Sequence, residues 1–180
     1  TESSDDITFA NTVNDKTLIF SVKDNTGAAK TASFTADTHD NNIQLKGVEE
    51  VFIIAASDET TDLTTGDLKA SFAAPFNFLI TGVKASVTTT PAGSNLEVAI
   101  RRSRGGSAVD VLSTNITIEP NEQTSRTATN PPVINTSNDD INIDDIIIID
   151  IDAVGSSRAG KALKVTIFGH RTWYYGSNYD

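Results

Sequence analysis

Carboxylates are the first residues in this chain with the means to do chemistry. Asp150 and Asp152 follow a run of four isoleucines and are separated only by Ile151. Extended backbone would therefore turn both to one face. A pair of carboxylates is what acid/base cleavage of a glycosidic bond requires. No neighbouring group is supplied to tune them, however, and a solvent-facing strand accounts for them without catalysis. A second set, Asp139, Asp140, Asn142, Asp144 and Asp145, offers oxygen ligands of the kind Ca²⁺ takes. It lacks the spacing and the distal bidentate Glu of an EF-hand loop, and carboxylates at strand ends also discourage edge-to-edge pairing. His39 and His170 are the only histidines and cysteine is absent, so a zinc site would need carboxylates from across the fold. No nucleophile-elbow motif is present. The expectation is a chain with no catalytic residue, no metal and no cofactor.

Aromatic residues are the stronger functional candidates. Trp173, Tyr174, Tyr175 and Tyr179 include the only tryptophan and all three tyrosines, within the last few residues. Such side chains anchor protein–protein contacts, and they also stack on sugar rings. A terminal segment is ordered only if docking offsets its entropy. Phe20 and Phe34, near the other end, join them as candidate partner-binding residues. Asn115-Ile116-Thr117 and Asn135-Thr136-Ser137 match glycosylation sequons, triplets that are frequent by chance.

The elements that would position these residues are strands. In 146–152, Ile147, Ile149 and Ile151 share one face while Asp150 and Asp152 lie on the other with Ile148. β-branched residues at period two define a strand with one buried face, and Ile148 implies cover on both sides there. Asp144-Asp145 before it reads as a turn. Gly155-Ser156-Ser157-Arg158-Ala159-Gly160 after it reads as a hairpin loop, with Leu163, Val165 and Ile167 alternating in the returning strand.

Further back, residues 17–23 and 31–36 flank the turn Asp24-Asn25-Thr26-Gly27, which predicts a hairpin. An isolated hairpin is marginal in water, so 1–46 is read as an arm or small subdomain that leans on something else. A β-sandwich domain follows over 47–170, and 171–180 is the aromatic tail. Within the sandwich, Val51-Phe52-Ile53-Ile54 reads as an interior strand. Gly82 marks a bulge or bend, and residues 65–72 are the one weak helix candidate. Leu96, Val98 and Ile100 alternate in another half-buried strand, and 102–107 reads as a basic, glycine-containing turn. Pro131-Pro132 excludes a central strand there. About eight short strands without a helix predict an all-β, antiparallel two-sheet sandwich, jelly-roll-like, carrying an N-terminal hairpin arm.

Composition removes whole classes of function. A net charge of −10 opposes a nucleic-acid partner, and Arg101, Arg102 and Arg104 are too small a basic cluster to reverse that. No apolar run approaches the roughly 20 residues of a membrane helix, so no membrane partner is expected. The opening Thr1-Glu2-Ser3-Ser4-Asp5-Asp6 is not a signal peptide: either the chain was never exported by that route or a leader is missing.

Several stretches in order carry a resemblance. These are Gly47-Val48-Glu49-Glu50-Val51-Phe52, Ser57-Asp58-Glu59-Thr60-Thr61-Asp62-Leu63-Thr64-Thr65-Gly66 and Leu79-Ile80-Thr81-Gly82-Val83-Lys84-Ala85-Ser86-Val87. Ile116-Thr117-Ile118-Glu119, Ile149-Asp150-Ile151-Asp152-Ala153-Val154-Gly155-Ser156 and Ala159-Gly160-Lys161-Ala162-Leu163-Lys164-Val165-Thr166-Ile167 continue it. Residues 47–170 resemble a domain of structural proteins of tailed bacteriophages, especially marine and cyanobacterial ones. The arm, with Asp6-Ile7-Thr8-Phe9-Ala10-Asn11 and Asp15-Lys16-Thr17-Leu18-Ile19-Phe20, is similar to segments of phage fibre-like proteins. The resemblance implies a virion β-sandwich without a catalytic role and does not itself place the protein on the particle; the expected location is the virion exterior. The expected function is that of a capsid decoration or cement protein, with a tail- or head-fibre module recognising host glycan as the alternative. Expected partners are further copies of the chain, a trimer among the arrangements, together with the major capsid protein or other virion proteins, and a host glycan in the alternative.

Overall fold

The computed structural model describes residues 49–172 in full and, before them, the backbone of β1 (Leu18–Lys23), β2 (Ala29–Ala36) and β3 (Ile43–Leu45). The chain divides into two compact units, Thr1–Val48 and Glu49–Asp180. In the first, β1 and β2 form the expected antiparallel hairpin, with Leu18 opposite Phe34 and Phe20 opposite Ala32. β3 adds a third strand beyond that expectation, pairing with the far end of β2.

The second unit contains β4 (Glu49–Ala55), β5 (Gly66–Ala73), β6 (Phe78–Ser86), β7 (Leu96–Arg104), β8 (Ser107–Asp110), β9 (Leu112–Thr114) and β10 (Ile116–Ile118). After these come β11 (Val133–Ile134), β12 (Asp140–Ile141), β13 (Ile146–Ala153) and β14 (Lys164–Arg171). Among the described residues helix is confined to one 3₁₀ turn, Ser125–Thr127. Of residues 65–72, the weak helix candidate, all but Thr65 lie in strand β5, which pairs with β13 and packs Ala70 and Phe72 against the core.

Pairing follows a simple rule. β4 pairs with β14, β5 with β13, β6 with β12 and β7 with β10, all antiparallel, so the first four strands of the unit meet later strands in reverse order. That long antiparallel ribbon wraps on itself, and β6–β14 and β7–β13 close it into two sheets, β12-β6-β14-β4 and β10-β7-β13-β5. The order is that of a jelly roll.

β13 occupies the interior of its sheet because isoleucine fits a pleated surface covered on both sides. Ile147 and Ile149 are fully buried, Ile151 nearly so, and Ile148 is buried on the outer face. Facing them across the sandwich are Val165 and Ile167 of β14 and Ile80 of β6. Phe52 packs against Phe72, Phe76 and Phe78 with ring centroids 5.0–5.9 Å apart, stitching the two sheets together. The bulge expected at Gly82 is present: Phe168 pairs with Gly82 and Gly169 with Ile80, leaving Thr81 as the extra residue.

Three further expectations are overturned. The 155–160 segment does not close a hairpin, because β13 and β14 lie in opposite sheets and the loop crosses between them. A local pattern of strand, turn and strand cannot distinguish a hairpin from a crossover. β4 is an edge strand and not an interior one: Phe52 and Ile54 turn inward, while Val51 and Ile53 face out. The arginines are not on a turn either. β7 runs through Arg104, and the reversal is made by Gly105-Gly106, both at positive φ.

Candidate functional site

The jelly-roll path gives the second unit two unlike poles. The chain enters at Glu49 and its last strand ends at Arg171, and β4 and β14 are neighbours with Glu49 opposite His170. Entry and exit therefore share one pole. The β5–β6 and β12–β13 connections lie there too, since the Ala74 N–H donates to the Asp145 carbonyl, the Asp144 N–H to Ala74, and the Thr172 N–H to Asn77.

This pole is fastened by charge. Arg102 and Arg104 project one turn of the pleat apart from β7 and reach carboxylates on the connection beyond. Arg102 Nη1 donates to the Asp140 carbonyl (2.6 Å) and carboxylate (2.8 Å), joining one sheet to the other. Arg104 donates to Asp140 (3.1 Å) and, through two nitrogens, to the buried Asp145 carboxylate (2.7–3.1 Å). Burial alone would raise the Asp145 pKa, but the Arg104 guanidinium and the Asn142 N–H outweigh it, and the carboxyl lies below its ordinary range. Arg171 pairs with Glu50 (2.6 Å) and stacks over the Phe76 ring (3.9 Å) where the chain leaves. The acidic set considered for Ca²⁺ thus has two of its carboxylates engaged by arginine. Among the described residues no group of three or more His, Cys, Asp or Glu side chains stands together as a metal site.

Among the described residues, neither the entry at Glu49 nor the exit at Thr172 lies at the opposite pole. That pole is built from the loops β4–β5, β6–β7 and β13–β14 together with the start of the β10–β11 connection, which hydrogen-bond to one another through backbone. The Ala92 N–H donates to Arg158, the Ser157 N–H to Ala92, the Leu63 N–H to Gly160 and the Asn121 N–H to Pro91, all at 2.8–3.0 Å. Gly155 is required there, since a Cβ at that position would lie 2.0 Å from the Arg158 carbonyl and 2.7 Å from the Ala92 nitrogen. Asp58 accepts the Thr60 and Thr61 N–H groups, which lower its pKa to about 2. The exposed side chains on these loops are mostly hydroxyls and carboxylates, among them Thr60, Thr61, Ser94, Ser156 and Ser157. Hydrogen-bonded recognition is within their chemistry.

The expected acid/base pair is divided by burial. Asp152 is exposed and accepts from Asn115 (2.8 Å). Its pKa is raised, first by partial desolvation and then by the negative charge of Asp150, Glu97 and Asp67. Asp150 is not solvent-facing, as the alternation suggested, but 2% exposed. One of its oxygens is held by the Arg101 guanidinium, and the other accepts the Leu68 N–H (2.7 Å). Leu68 adopts φ 54° to present that N–H. Neither oxygen is left for a substrate. Sequence alternation identified the face correctly and missed the cover, because Arg101 comes from the neighbouring strand β7.

Of the partner-binding candidates, Trp173, Tyr174, Tyr175 and Tyr179 lie outside the described residues, as does His39. Phe20 and Phe34 are placed in β1 and β2 by register. His170 is exposed on β14. What sequence reasoning missed is the outer surface at β4. Val51 is 49% and Ile53 69% exposed, beside Phe168 of β14, whose ring is covered by Lys84 at 5.0 Å. The available signal was that 51–54 is apolar on both faces, which marks either an interior strand or an edge with business on its outer side.

No family model matches this sequence, and no curated protein matches it. Among solved structures, one titled as that of infectious bursal disease virus, Gx strain, matches with a TM-score of 0.36 and 15% identity. The alignment covers 79% of this chain and 40% of that one. A likeness at that level carries no argument, and the fold rests on the strand order given above.

Proposed function

We propose that this chain is a non-enzymatic structural protein of a bacteriophage virion, acting as a capsid decoration or cement protein on the particle exterior. The observation that carries this is the polarity of the jelly roll. Arm and tail are joined to one pole, at registered neighbours on β4 and β14, while the described residues of the other pole are loops that neither joins. A sandwich tethered by both ends of its chain can grip a shell with one pole and present the other outward. Jelly rolls recur in viral capsid domains and in lectins, and the resemblance of residues 47–170 to phage structural domains points the same way. Many copies held at fixed geometry would multiply weak contacts, and the acidic surface would keep particles apart. Imaging particles with and without the protein tests this: density on the shell, and particles that burst at lower temperature without it, are expected. Density confined to a tail or fibre would overturn it.

The second reading, a fibre module that binds host glycan, is favoured by one observation, the linked hydroxyl-rich loops at the far pole. Glycan-array binding that is lost in Trp173→Ala or in variants of those loops would establish it over cement.

A further inference from the structure

We propose that the edge of β4, which no second strand covers among the described residues, is a two-fold contact between copies of this chain, in which two β4 strands pair antiparallel and join their sheets into one. The four sheet edges of the sandwich are not alike. β10 and β12 are short strands. β5 is interrupted by the register shift at Ile149/Ile151, holds Leu68 at positive φ, and carries Asp67 and Lys69. Short length, irregularity and charge are the devices that keep an edge from pairing. β4 has none of them after Glu50. It pairs with β14 through seven consecutive residues without a shift, contains no Pro, Lys or Arg, and turns Val51 and Ile53 outward at 49% and 69% exposure. β14 is its one strand neighbour among the described residues.

The occupant is a second copy because the strand is complementary to itself. A two-fold axis at Phe52 sets residue 51 opposite 53 of the partner, 50 opposite 54 and 49 opposite 55. On the outer face each Val51 then meets the other copy's Ile53, beta-branched pairs of the kind that stabilise a sheet. The stripe continues through Phe168 on one side and Thr166 on the other, which are the β14 partners of Val51 and Ile53. Charge agrees with this register. The two Glu49 carboxylates lie at opposite ends of the ribbon, about 20 Å apart at roughly 3.3 Å per residue. Each faces the small Ala55 of the other copy, so no carboxylate is set against another. The contact is isologous and closes at two copies, so a threefold arrangement would have to be built by other surfaces. Self-association of the purified chain is independent of where it stands on a particle, and either idea can fail alone.

The chain has no cysteine, which makes the register directly testable. Val51→Cys and Ile53→Cys chains are prepared separately, oxidised alone and oxidised as a mixture, and sedimentation is measured for the wild type and Ile53→Lys. Facing Cβ atoms in such a pair are about 4.5–5.5 Å apart, near what a disulfide needs. The expected result is a concentration-dependent dimer whose dissociation constant rises at least tenfold in Ile53→Lys. Cross-linking should be several-fold faster in the mixture than in either chain alone. Ile53 is exposed, so the lysine variant should keep its circular dichroism spectrum; if it does not, the cysteine mixture decides. A wild-type chain that remains monomeric overturns the proposal, whether the edge is bare or covered by its own arm or tail. A dimer that cross-links equally in all three samples, or that ignores Ile53→Lys while folded, overturns it too.

Discussion

Replacing Arg101 with methionine removes the charged partner of the buried Asp150 on the outer face of the β13 sheet. The Asp150 side chain is 3% exposed and its guanidinium partner 27%, so the aspartate cannot recover water if the arginine goes. At an effective dielectric of about 20, opposite charges in contact attract by about 4 kcal/mol. Breaking such a pair from one side costs about 3–5 kcal/mol, because a buried charge is left uncompensated. The Leu68 N–H still supports Asp150 (2.7 Å), which places the expected loss for Arg101→Met near the lower end, at about 3 kcal/mol. Asp150→Leu should cost less, since Arg101 is part-exposed and has Asp67 at 3.7 Å as a second partner. The double variant should be more stable than the sum of the singles by about 2 kcal/mol or more. Urea unfolding followed by far-ultraviolet circular dichroism reads this out. With a slope of about 2 kcal/mol per molar, Arg101→Met lowers the midpoint by about 1.5 M. A loss below about 1 kcal/mol, or single effects that simply add, would refute the reasoning that Asp150 is clamped and not solvated.

Ile149→Ala, at a fully buried position between β5 and β7, should cost about 2–5 kcal/mol in the same experiment. Ile53→Ala, on the same fold but outward, should cost far less; equal losses would mean that the inward face is misassigned. Gly155→Ala forces a Cβ onto the Arg158 carbonyl and the Ala92 backbone, and overpacking of that kind costs about 1–3 kcal/mol or more. An unchanged melting temperature would show that the far-pole loops are not tied together. The Asp145 pKa is lowered in the folded state, so its contribution is present above the unfolded value of about 3.9 and is lost as pH falls through the folded one. The gap in urea midpoint between wild type and Asp145→Asn should therefore narrow below about pH 4, and a constant gap down to pH 2.5 would contradict the Arg104 pairing. Asp152 has the opposite sign: its raised pKa means that ionisation opposes folding, so the stability gained below the unfolded value is lost as pH rises through the folded one. Asp152→Asn should raise the midpoint at pH 7 and have no effect at pH 3.

Local physics determined the elements of this protein, and the sequence carries local physics in full. Period-two isoleucines define β13, alternation defines β7, and the Asn/Gly turn defines the β1–β2 hairpin, because each depends on neighbours in the chain. The all-β antiparallel class follows from those elements and is what the strands form. What only the tertiary structure decided is which strand lies beside which. The 155–160 loop looks like a hairpin turn until β13 and β14 are found in opposite sheets, and 51–54 looks interior until β14 is found to be its one strand neighbour among the described residues. Burial of Asp150 depends on Arg101, 49 positions away in the chain, just as Asp145 depends on Arg104 across 41. Pairings at that separation leave no periodic trace, since a carboxylate bound by a distant guanidinium and one bound by water are spelled the same way. Polarity of the two poles, and the self-complementary edge of β4, arise only after the ribbon has been folded back on itself.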